Sequence, residues 1–94
     1  MIILREFFIA KPGQAGKLAK MMKEVTALET PGKARVLTNE TGEFNRVEMD
    51  TEFANLTEME AHMKQYGQRE DLAKIMKGYT DLYLTGGREI LKVW

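Results

Sequence analysis

His62 is the only histidine of the chain, so any imidazole chemistry must pass through it. Its ordinary titration range suits general acid or base work near neutral pH. On a helix it would lie one turn from Glu58 and one turn from Tyr66, so a Glu58–His62–Tyr66 stripe could hold and pass a proton. Tyr66, Tyr79 and Tyr83 carry phenols able to orient a polar or aromatic ligand, and Tyr79 and Tyr83 share a helix face if that segment is helical. Arg5 and Arg35 offer guanidinium groups that bind a carboxylate or phosphate in bidentate fashion. His62 and Tyr66 are therefore the candidate catalytic pair, with Arg5, Arg35, Tyr79 and Tyr83 as candidate substrate-binding residues.

Each assignment competes with a plainer one. A lone histidine beside Met59 and Met63 is more often a half-exposed helix residue. Tyrosines on an apolar stripe are usually core with the hydroxyl reaching solvent. Glu48, Asp50 and Glu52 share one strand face at two-residue spacing, and three carboxylates could hold a hard cation. A salt-bridged or solvated face is the commoner use of that pattern, and one histidine without a second is a poor metal site. No metal is expected.

The elements that must position these residues follow from periodicity. Met1–Ala10 reads as a strand rich in β-branched and aromatic residues. Ile3, Phe7 and Ile9 fall on one face of it and Ile2, Leu4 and Phe8 on the other, so both faces need cover. Gln14–Leu28 reads as an amphipathic helix, ended by Thr30-Pro31-Gly32. Lys33–Thr41 and Phe44–Phe53 read as a strand pair turning around Gly42. In the second of these, Val47, Met49, Thr51 and Phe53 alternate with Arg46, Glu48, Asp50 and Glu52. Asn55-Leu56-Thr57-Glu58 has the form of a capping box. Leu56–Tyr66 and Leu72–Tyr83 read as helical, Gly86-Gly87 as the stop, and Arg88–Trp94 as the last strand. The order βαββαβ fits one α+β domain over residues 1–94, with a four-stranded antiparallel sheet and helices on one face. Arg5 shares a parity with Ile3 and Phe7, so if that face is covered Arg5 needs a partner, and Glu48 and Asp50 are the natural ones.

The totals narrow the function class. Fourteen basic residues balance fourteen acidic ones, which leaves no electrostatic footprint for nucleic acid or an anionic membrane. The absence of cysteine excludes thiolate nucleophiles, disulfides and Cys-based zinc sites and suits a cytoplasmic setting. No apolar run approaches the roughly 18 residues of a membrane span. No phosphate-binding glycine pattern is present.

Several stretches resemble the dimeric α+β barrel superfamily, which is ferredoxin-like, and among its branches the NIPSNAP-like and antibiotic-biosynthesis-monooxygenase-like proteins. The matching residues are Arg5-Glu6-Phe7, Asn45-Arg46-Val47, Phe53-Ala54-Asn55-Leu56-Thr57-Glu58 and Thr85-Gly86-Gly87-Arg88-Glu89-Ile90-Leu91. The resemblance implies a homodimer formed sheet against sheet and a pocket between sheet and helices. It also implies a small-molecule-binding protein such as a cofactor-independent monooxygenase or isomerase, or alternatively a non-catalytic metabolite-binding or assembly module. Haem-degrading members use an asparagine, a tryptophan and a histidine ligand at set places. Here strand one has Arg5 and Glu6, the only tryptophan is Trp94, and His62 falls early, so no cofactor is expected.

Overall fold

The computed structural model describes residues 1–94. The order of elements is β1 (Ile2–Ala10), α1 (Ala15–Glu29), β2 (Ala34–Thr38), β3 (Arg46–Phe53), α2 (Leu56–Tyr66), α3 (Glu70–Ile75), a 3₁₀ turn (Tyr79–Asp81) and β4 (Tyr83–Lys92). The strands form one antiparallel sheet in the order β2-β3-β1-β4. This is the ferredoxin-like α+β arrangement that the sequence implies.

Register decides which parity faces the helices. Leu4 pairs with Thr51 and Ile90, Glu6 with Met49 and Arg88, and Phe8 with Val47 and Gly86. Leu4, Ala10, Val47 and Phe53 are buried on this side. Leu18, Met22 and Val25 of α1 pack down on it, joined by Leu72 and Leu82 in the core. Met59 of α2 closes a second, smaller cluster over Leu4 and Phe53. Each such side chain contributes roughly 1.5–3 kcal/mol when fully withdrawn from water.

α2 starts as the capping box requires. Asn55 Oδ1 accepts the Glu58 backbone N–H at 2.9 Å, and Glu58 Oε2 accepts the Ala54 N–H at 3.3 Å. The opposite face of the sheet has no helix over it. There Arg5 lies directly across from Asp50 and donates to both carboxylate oxygens, Nε to Oδ1 at 3.1 Å and Nη2 to Oδ2 at 3.2 Å. Glu48 Oε2 lies 3.1 Å from Arg5 Nε as well. Arg46 pairs with Glu48 at 3.0 Å and stacks over Phe7, 4.3 Å from the ring centroid. Half-buried Ile3, Phe7, Ile9 and Leu91 surround these pairs.

Three expectations are corrected. The stretch Leu72–Tyr83 is not one helix: α3 ends at Ile75, and Gly78 adopts φ 83°, a left-handed conformation that breaks the helical path. Gly86-Gly87 is not a stop but the middle of β4, which begins at Tyr83 rather than Arg88. Close approach explains the glycines. A Cβ on Gly86 would stand 2.6 Å from the Phe7 carbonyl oxygen, and one on Gly87 would stand 2.6 Å from Phe7 Cζ. The β2 and β3 strands are also shorter than their patterns, leaving Asn39–Asn45 as a loop with Gly42 and Asn45 at positive φ.

Candidate functional site

A cavity of about 250 Å³ lies between the helix-facing side of the sheet and the helices. Its walls are largely apolar: Leu4, Phe8, Met22, Met49, Met63 and Met76 contribute. Into this recess α1 brings Glu29, α2 brings His62 and Tyr66, the 3₁₀ turn brings Tyr79, and β1 and β4 bring Glu6 and Arg88.

His62 Nε2 and Glu29 Oε1 are in direct contact, with side chains only 21% and 11% exposed. The His62 ring also packs against Phe53, centroids 5.1 Å apart. Burial pushes the Glu29 carboxyl up to about 7 from its ordinary 4.5, with the Glu6 charge adding to the rise and Arg69 opposing it. Glu29 is also the last residue of α1, where the helix dipole is negative and the last turn carries no basic residue. Burial lowers His62 from 6.5, helped by Lys33 and opposed by Glu6. Both shifts favour neutral forms, so the pair holds one proton below about pH 7 and releases it above. Tyr66 is raised from 10.0, chiefly by burial and then by the charges of Glu29 and Glu6. Arg88 Nη2 donates to Glu6 Oε2 at 3.1 Å on the cavity wall.

His62, Tyr66 and Tyr79 therefore meet in one cavity. Tyr83 stands behind them: its ring packs 4.7 Å from Phe8 and 5.9 Å from Tyr79, within the apolar core. Arg5 and Arg35 lie on the opposite face of the sheet, on either side of Asp50 in the register, and Arg5 is committed to that carboxylate. The partner of His62 is Glu29 and not Glu58, because Glu58 caps its own helix and binds Lys33 Nζ at 3.3 Å. The carboxylates of β3 converge on Arg5 and Arg46, and no group of three His, Asp or Glu side chains is placed to hold a metal ion.

Sequence reasoning missed Glu29, Glu6 and Arg88. Glu6 and Arg88 are adjacent only through the β1–β4 register, which no local pattern contains. Glu29 did leave a signal. A carboxylate in the last turn of a helix, immediately before Thr30-Pro31-Gly32, opposes the dipole preference.

No protein-family model matches the chain, and no curated protein matches its sequence. Solved structures do match in shape. A NIPSNAP domain protein from Burkholderia xenovorans superposes with TM-score 0.82 at 11% identity, covering 100% of this chain and 95% of that one. A NIPSNAP family protein of unknown function from Agrobacterium tumefaciens gives 0.84 at 15%, covering 99% and 87%. An antibiotic biosynthesis monooxygenase gives 0.69 at 8%, covering 100% and 99%. The chain thus shares the fold of NIPSNAP and antibiotic-biosynthesis-monooxygenase-like proteins.

Proposed function

We propose that the protein binds a small, largely apolar molecule in the cavity under α1 and α2 and moves a proton on it. The observation that carries this reading is the convergence of Glu29, His62, Tyr66 and Tyr79 on one recess whose other walls are aliphatic, methionine and phenylalanine side chains and the Glu6–Arg88 pair. Removing a C–H or O–H proton leaves its electron pair on the substrate. That electron-rich anion is the species a cofactor-independent monooxygenase presents to dioxygen, or an isomerase reprotonates at another carbon. The apolar part of the wall lowers the local dielectric, which strengthens any hydrogen bond to the developing charge. A cavity of this volume falls just below the usual range for a binding site and suits a one- or two-ring compound.

The subunit is proposed to act as a homodimer joined through the sheet face opposite the cavity. Ile3, Phe7, Ile9 and Leu91 are half-buried there, and the Arg5–Asp50 and Arg46–Glu48 pairs are already satisfied within the chain. Covering the centre of that face then strands none of these four charges. A second function, as a binding module that holds a metabolite without converting it, draws support from the four methionines of the wall, which adapt to many shapes.

Native mass spectrometry followed by hydrogen–deuterium exchange of enolisable ring compounds in heavy water separates these readings. Enzyme-dependent exchange that falls in His62→Ala and in Tyr79→Phe at nearly unchanged stability supports the proton-transfer function. Retained ligand with no exchange supports the module. Equal exchange in wild type and both variants rejects the assigned residues.

A further inference from the structure

We propose that the cavity selects neutral O–H acids, phenols and enols, over preformed carboxylates, and that Glu29 rather than His62 takes their proton. This inference rests on the ligand-binding reading above and names its substrate class. It starts from the charges that face the recess. Glu6 from β1 and Arg88 from β4 are paired with each other at 3.1 Å. Tyr66 and Tyr79 bring phenol groups to the same recess. Lys33, beyond the end of α1, is held by Glu58 at 3.3 Å, and Arg69, before α3, is held by Asp71 at 2.6 Å. Glu29 is the acidic group of the recess with no cation in contact with it; its partner is His62.

A ligand that arrives as an anion therefore meets the Glu29 carboxylate, while Arg88, the one guanidinium on the wall, is occupied by Glu6. A neutral O–H acid meets none of that repulsion. Its O–H proton passes to a Glu29 carboxylate oxygen, the oxygen–hydrogen bonding pair stays on the ligand oxygen, and the net charge of the site is unchanged. His62 holds the other side of the carboxylate, and the Tyr66 and Tyr79 phenols supply donors to the new oxyanion. The match of acidities supports the geometry: a carboxyl raised to about 7 competes for a phenolic proton far better than an ordinary one.

The probe is 3-nitrophenol, whose phenolate absorbs at longer wavelength than the phenol, titrated with the intact protein at about pH 7.5, where Glu29 is largely ionised and the free phenol is largely not. Nitrobenzene supplies the same ring without the O–H, and 3-nitrobenzoate the preformed anion. The expected result is a phenolate band on binding, affinity about tenfold above nitrobenzene, and 3-nitrobenzoate weaker than either. Glu29→Gln, nearly isosteric, should bind both neutral compounds equally and lose the band. Bound nitrophenol with no phenolate band in the wild type overturns the proposal, as does a band that survives in Glu29→Gln. Tighter binding of 3-nitrobenzoate than of 3-nitrophenol overturns the substrate class. Failure of all three probes to bind overturns the ligand-binding reading itself.

Discussion

Glu29 is unfavourably placed on two counts, since it is withdrawn from water and stands at the negative end of α1. Its raised pKa is a statement about stability. The unfolded chain ionises this carboxyl near 4.5 and the folded chain near 7, so between those values the unfolded state binds fewer protons. Stability from this residue is intact below about pH 4.5 and is lost as pH rises through about 7, a loss of roughly 2–3 kcal/mol. Glu29→Gln should therefore unfold at least ~4 °C higher than wild type at pH 8 and at nearly the same temperature at pH 4.5, as read by circular dichroism. His62 runs the other way. Its folded value is lowered, so its contribution is present above 6.5 and is lost as pH falls below that. Replacement of His62 by glutamine should flatten the acid side of the stability profile and leave the alkaline side. These two residues differ in legibility. His62 stood out as the single histidine, whereas the role of Glu29 depends on α1 folding over the sheet so that its last turn meets α2.

At the scale of elements, glycines do opposite things in the same chain. Gly16, in the first turn of α1, has open space around its Cβ position. Alanine there should stabilise the protein by up to about 0.5 kcal/mol by restricting the unfolded chain. Alanine at Gly86 should cost about 2–3 kcal/mol, because its Cβ collides with backbone at 2.6 Å and the β1–β4 ladder must open. Paired chemical denaturation of Gly16→Ala and Gly86→Ala checks both signs at once. The reading of Gly86-Gly87 as a helix stop failed for this reason: a glycine required by a neighbouring strand looks the same in sequence as one required by a turn. The elements that were legible, β1, α1, β3 and α2, carry their own periodicity or cap. Asn55 is the clearest of them, and Asn55→Ala should remove about 1 kcal/mol. The region from Leu72 to Tyr83 misled because its apolar spacing continues through Gly78, where the backbone turns left-handed.

For the whole molecule, the two-sided apolar pattern of β1 was readable, but its assignment to faces was not. Parity says that residues alternate, and only the packing of α1 and α2 says which set lies beneath them. Once the faces are assigned, Arg5 moves from candidate ligand contact to the centre of the uncovered face, where Asp50 neutralises it. If the proposed homodimer forms through that face, Ile9→Lys should weaken it by roughly 100-fold in sedimentation experiments while leaving the circular dichroism spectrum unchanged. An Arg5→Ala change should weaken stability and association together, since it leaves the buried Asp50 carboxylate unpaired.

Trp94 is fully exposed, its only aromatic partner contact being the Lys92 ammonium 5.1 Å from the ring. As the sole tryptophan, it makes the protein its own optical probe, and an unusual one. Its emission should be that of an indole in water, so unfolding of the core should pass almost unseen at this wavelength. A blue shift on raising the protein concentration, or on adding another macromolecule, would mean that something has come to rest against the end of β4, and it would say so without a label.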